Sequence, residues 1–154
     1  MNLTKNFTLE ELSNSSTAKR LGIDNIPNNE QVNNLRLLCE KVLQPIREKY
    51  GKPIIISSGF RCEKLNKAIG GSPTSEHRYG MAADFHSLSD TLSDNKALWD
   101  LIRTMNLNFG QLIYEYGSDS GPDWIHISYN EKNNRKQILR CKKLNGKASY
   151  SKMK

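Results

Sequence analysis

Apolar residues recur at steps of three and four through Val32, Leu35, Leu38, Cys39, Val42, Leu43, Ile46 and Tyr50. That spacing predicts one amphipathic helix with its apolar stripe turned to a core. Asn28, with Gln31 three residues on, supplies its start, and Gly51 and Pro53 its end. Pro45 lies inside the pattern and predicts a kink or a shortened helix. Upstream, Thr8 and Glu11 have capping-box spacing for a short helix. That helix fades into the run Ser13-Asn14-Ser15-Ser16, and a loop through Gly22 and Pro27 follows.

Downstream the pattern shortens. Ile54-Ile55-Ile56 reads as a buried strand, and a short helix covers Glu63 to Ile69 until Gly70-Gly71 stops it. Ala82-Ala83-Asp84-Phe85 reads as a second buried strand, and residues 93–105 as a helix carrying Leu98, Leu101, Ile102 and Met105. Gln111 to Tyr116 and Trp124 to Tyr129 read as strands joined by the turn-rich Gly117-Ser118-Asp119-Ser120-Gly121-Pro122. Gln137 to Cys141 offers a last strand. Helices first and strands clustered later predict an α+β fold. No repeat and no linker divides residues 1–154, so the expectation is a single domain.

Composition narrows the picture. A hydrophobic fraction of 36% and a charged fraction of 25% are ordinary for a globular chain of 154 residues. No apolar run reaches the roughly 20 residues that cross a bilayer. The first residues lack the apolar stretch of a secretory signal, so the expected location is the cytoplasm. Cys39, Cys62 and Cys141 form neither a disulfide framework nor a zinc knuckle. Cys39 falls on the apolar helix face. Cys62 follows Arg61 without an evident partner base, which favours a structural thiol over a nucleophile.

The net charge of +7 is uneven. Residues 131–154 hold nine Lys/Arg against one acid, whereas residues 1–130 are almost neutral. This basic C-terminal segment is either a solvated face or a means of adsorbing to a polyanion, such as nucleic acid or an anionic cell-wall polymer. No nucleic-acid motif accompanies it, so nucleic acid is not the favoured partner.

The chemistry-bearing residues are few. His77 precedes Asp84 by seven positions, and His126 sits mid-strand. Two imidazoles and one carboxylate suit a zinc ion that keeps an open position for water. By spacing alone Asp84 reads more readily as a cap on backbone amides after Gly80 than as a ligand.

Three ordered segments then carry a resemblance. Ser75-Glu76-His77-Arg78-Tyr79-Gly80-Met81-Ala82-Ala83-Asp84 resembles the S-x-H-x-x-G-x-A-x-D signature of D-alanyl-D-alanine carboxypeptidase-type zinc peptidases. Ser57-Ser58-Gly59-Phe60-Arg61 and Asp123-Trp124-Ile125-His126 resemble that family's S-G-[YF]-R and [DE]-x-x-H segments. The family includes vancomycin-resistance D,D-dipeptidases and phage L-alanyl-D-glutamate endopeptidases. The resemblance implies the Hedgehog/D,D-peptidase α+β fold, a small antiparallel sheet with helices packed beside it. It implies that His77, Asp84 and His126 bind Zn²⁺, that Asp123 is the acid/base, and that Arg61 and Ser75 hold substrate, Arg61 also meeting the polarised carbonyl. The implied substrate is a peptidoglycan peptide, cleaved at a D-Ala-D-Ala terminus or an internal L-Ala-D-Glu bond.

Two residues compete for these roles. Asp123 and His126 would face opposite sides of a regular strand, so Asp123 requires an irregular strand start after Pro122. Glu115 is the rival base. His86 shares a strand face with Asp84 and is expected outside the ligand set. The missing export signal turns the reading towards a phage or prophage lysin, with a catalytically inactive wall-binding module as the alternative.

Overall fold

A computed structural model describes all residues, Met1–Lys154. Thr8 and Asn28 both close capping boxes, with Glu11 and Gln31, and start α1 (Leu9–Ser13) and α3 (Asn29–Leu38). Between them Ser15 caps an unanticipated helix, α2 (Ser16–Leu21), within the serine-rich stretch. The Pro45 expectation resolves physically. Proline has no N–H and its ring crowds the carbonyl four residues back. The chain widens into a π turn (Cys39–Leu43), in which the Gln44 N–H donates to the Cys39 carbonyl, and then continues as α4 (Gln44–Tyr50).

The remaining elements are β1 (Ile54–Ser58), α5 (Glu63–Ala68), a 3₁₀ turn (Glu76–Tyr79), β2 (Ala82–Ser87), α6 (Leu92–Thr104), β3 (Gln111–Glu115), β4 (Trp124–Ser128), β5 (Gln137–Leu144) and β6 (Lys147–Lys152). They form one six-stranded sheet in the order β1-β2-β4-β3-β5-β6. All ladders are antiparallel except β3 with β5. The fold is α+β as expected, with a sheet larger than the apolar pattern predicts. The last strand extends to Leu144, and β6 follows across Asn145-Gly146, both at positive φ (52° and 77°). Those angles suit the tight hairpin turns that Asn-Gly favours.

Strand alternation gives the sheet two unlike faces. Ala83, Phe85, Leu112, Tyr114, Ile125 and Ile127 join Leu35, Leu38, Val42, Ile46 and Leu98 in one core. Burying such side chains supplies about 1.5–3 kcal/mol each before entropy is counted. The opposite face carries Asp84, His126, Ile113 and Glu115, with a small cluster of Ile113, Leu139 and Cys141 beside them. The basic C-terminal segment is thus built into the sheet. Met153 also donates its N–H to the Ile138 carbonyl at 2.8 Å, tying the last residues down. No helix is long and apolar enough to cross a membrane.

Candidate metal centre and active site

Asp84 and His126 are direct cross-strand partners on β2 and β4, so their side chains stand side by side. His77 arrives from the 3₁₀ turn. That turn starts at Ser75, whose Oγ accepts from the His77 N–H at 3.3 Å, and ends at Gly80 with φ +72°. A Cβ at Gly80 would lie 2.6 Å from the Gln31 carbonyl oxygen, so glycine is required for both angle and space.

The three donors converge. His126 Nδ1 lies 2.9 Å, and His77 Nε2 3.4 Å, from Asp84 Oδ1. One ligand atom from each residue falls within 4.8 Å of the others. Two ligand atoms about 2.1 Å from an ion at a tetrahedral angle stand about 3.4 Å apart, so the set fits a small N,N,O-bound cation such as zinc.

Surrounding groups fix these donors. His77 Nδ1 donates to the Gly59 carbonyl at 2.7 Å, which leaves Nε2 as the free donor to a metal. Gly59 has no room for a side chain, since a Cβ would lie 2.2 Å from the Leu12 carbonyl oxygen. Arg61 spans three partners: Ser58 Oγ at 3.0 Å, Asn66 Oδ1 at 3.3 Å and Asp84 Oδ2 at 3.3 Å. Asp84 is therefore held on both oxygens, by imidazoles on one and a guanidinium on the other.

The protonation states follow from these contacts. Burial works to raise the Asp84 pKa, but the two imidazoles outweigh it and hold the carboxylate well below its usual range. Burial lowers the pKa of His77 against the pull of Asp84, which favours the neutral ligand form. At His126 burial is outweighed by the hydrogen bond and charge of Asp84, so its pKa is raised.

Glu115 lies on the same sheet face, opposite Trp124 and diagonal to His126, and is only 7% exposed. Burial, with help from the Asp84 charge, lifts its pKa to about 7. It lines a cleft of about 650 Å³ together with Arg61, Ser75, His77, Asp84 and His126.

Asp123 is not in that cleft. Its backbone N–H donates to the Glu115 carbonyl at 2.9 Å although Glu115 is opposite Trp124, so Asp123 and Trp124 together face one residue in a bulge. The start of β4 is therefore irregular, as the sequence reading requires. The side chain is exposed and lines an adjoining depression with Leu92, Ser118 and Asp119, which shares Tyr116 and Trp124 with the cleft. Of the two candidate bases, Glu115 is the one that lines the cleft with the three donors.

The other candidates sort by contact. His86 Nδ1 bonds the Ser87 carbonyl at 2.7 Å and approaches Asp90 at 3.4 Å, away from the cleft lining. Cys62 caps α5, its Sγ accepting from the Leu65 N–H at 3.4 Å. Tyr116, Arg135 and Tyr150 also line the cleft, and the sequence reading gives them no role. Asn145-Gly146 is the signal for Tyr150, because a hairpin turn there folds the chain end back beside β5.

No curated protein matches this chain. The model of the family described as Peptidase M15 matches residues 5–128, a span that includes the His-Asp-His cluster, Arg61 and Glu115. With that match over most of its length, and with a ligand set suited to zinc, the chain belongs to the M15 peptidases, a zinc-dependent family.

Proposed function

We propose that this protein hydrolyses peptidoglycan stem peptides with Glu115 as its general base and acid. The carrying observation is the placement of a buried carboxyl, with its pKa at about 7, on the same cleft face as His77, Asp84 and His126. A group poised near the working pH both takes and returns a proton efficiently. Zinc held by the three ligands would polarise a peptide carbonyl and acidify a water. Glu115 takes the proton of the attacking water on a carboxylate oxygen and returns it to the departing amine. Asp84, clamped by Arg61, keeps the two imidazoles in place, while Arg61 also presents charge to the cleft. Ser75 supports the turn that carries His77 and borders the substrate path.

The substrate is a D-Ala-D-Ala terminus or an L-Ala-D-Glu bond, and a single domain over residues 1–154 carries the activity. An inactive wall-binding module is the weaker reading, because a module that only binds has no use for an intact ligand set beside a tuned carboxyl. The cationic strands β5 and β6 suit adsorption to an anionic wall polymer. They fit a lysin of phage or prophage origin that is held in the cytoplasm and reaches the wall on release.

Defined muropeptides incubated with the zinc-loaded protein, followed by mass analysis, test this reading. Loss of one alanine identifies a carboxypeptidase, and separation of L-Ala from D-Glu an endopeptidase. Intact muropeptides after prolonged incubation would overturn the proposal.

A further inference from the structure

We infer that the β5–β6 hairpin is the second wall of the substrate cleft and that Tyr150 is a specificity-determining contact for the peptide. The inference rests on the peptidase reading and extends it beyond the span that matches the family, which ends at residue 128.

Register carries the argument. Glu115 is opposite Trp124 on one side and Cys141 on the other, and Cys141 is in turn opposite Tyr150. Cross-strand partners share a face. The row Trp124–Glu115–Cys141–Tyr150 therefore crosses the sheet on its cleft side. Strands lie about 4.8 Å apart, so the backbones at Tyr150 and Glu115 stand roughly 10 Å apart with Cys141 between them. The floor of that interval is Ile113 and Leu139, only 5% and 8% exposed, with the buried Cys141 beside them.

The two sides of this floor are aromatic. Tyr116 and Trp124 stack in a tilted pair with ring centroids 5.3 Å apart. Tyr150 faces them from β6 and keeps 54% of its surface exposed. Ala148, also in the cleft lining, leaves the hairpin wall open where a larger side chain would close it. An apolar floor between aromatic sides suits a small apolar side chain, as in the alanine residues of a stem peptide, and disfavours a charged one.

The test uses the full-length, zinc-loaded protein, with Tyr150→Ala and Ala148→Trp. Both positions are exposed on an edge strand, so the fold should survive; the second variant adds bulk without removing any contact. Tyr150→Ala should raise KM for a stem pentapeptide ending in D-Ala-D-Ala about tenfold, as loss of an aromatic anchor does, and Ala148→Trp should raise it by a similar factor by filling the cleft. In each variant kcat should stay within about twofold and the zinc content unchanged. In a Glu115→Gln background, calorimetry with the same peptide should show the same weakening as a rise in Kd.

Wild-type KM and Kd in both variants, beside an active wild type, would overturn the inference alone. Unchanged peptide kinetics with reduced adsorption to whole cell walls would also overturn it and make the hairpin a polymer-binding surface. A zinc-loaded wild type that turns over no peptide would overturn the peptidase reading and this inference with it.

Discussion

The two walls of the cleft are built by different physics. On the β2–β4 side, His77, Asp84 and His126 are almost wholly enclosed, and each is fixed by a named partner. On the hairpin side, β6 is an exposed edge strand whose turn, Asn145-Gly146, lies in solvent. The first wall resists change because moving any donor leaves a buried charge without its partner, at a cost of about 3–5 kcal/mol. The second tolerates change because little is buried there. Chemistry belongs to the rigid wall, and substrate choice to the permissive one.

Substitutions can break or sharpen this contrast. The largest effect is expected from Glu115→Gln, which keeps shape and removes the proton acceptor; kcat should fall about 10²–10⁴-fold with zinc retained. In the wild type the pH profile of kcat/KM should rise through about pH 7, the pH at which Glu115 ionises. The sign follows from its role: the base works as carboxylate, so activity is lost as pH falls below that value. A flat profile between pH 6 and 8 would remove Glu115 from the mechanism.

Next in size is Arg61→Lys, which cannot span Ser58, Asn66 and Asp84 together. A supporting contact of this kind is worth about 10–100-fold, so zinc affinity should drop by that factor and activity with it. Unchanged zinc affinity would show that the clamp on Asp84 is dispensable. The smallest effect is expected for Asp123→Asn, whose exposed side chain is outside the cleft lining; kcat/KM should stay within about twofold. Should Asp123→Asn abolish turnover while Glu115→Gln stays active, the base assignment made from the sheet register is reversed.

Much of the rigid wall is legible in the sequence. The long helix follows from periodicity, and the π turn before Pro45 from the missing N–H of the proline. His77, Asp84 and His126 stand in three ordered segments, and the structure brings all three together. The base was harder to read, because Asp123 has the motif's spacing and Glu115 has the sheet's geometry. The irregular start of β4 keeps alternation from placing Asp123 relative to His126, and only pairing between β3 and β4 shows Glu115 beside His126. That pairing is non-local, and no local pattern reports it.

The permissive wall was least legible. Lys147-Ala148-Ser149-Tyr150 alternates over only two apolar positions and has no β-branched residue, so propensity passes it over. Its strand form comes from a tight turn and from pairing with β5, whose register with β3 is again long-range. The basic composition of residues 131–154 suggests a solvated face or a polyanion-binding segment, and beyond the strand expected at Gln137 to Cys141 charge says nothing of backbone pairing. The α2 helix was hidden for a related reason: Ser and Asn read as loop residues, although one of them, Ser15, is a helix cap.

The central claim is that one metal ion binds at His77, Asp84 and His126. Zinc content of the purified, dialysed protein, measured by mass spectrometry alongside a folded His126→Ala variant, tests it most directly. The account predicts one zinc per wild-type chain and none in the variant. Equal zinc in both proteins, or none in the wild type after zinc loading, would contradict it.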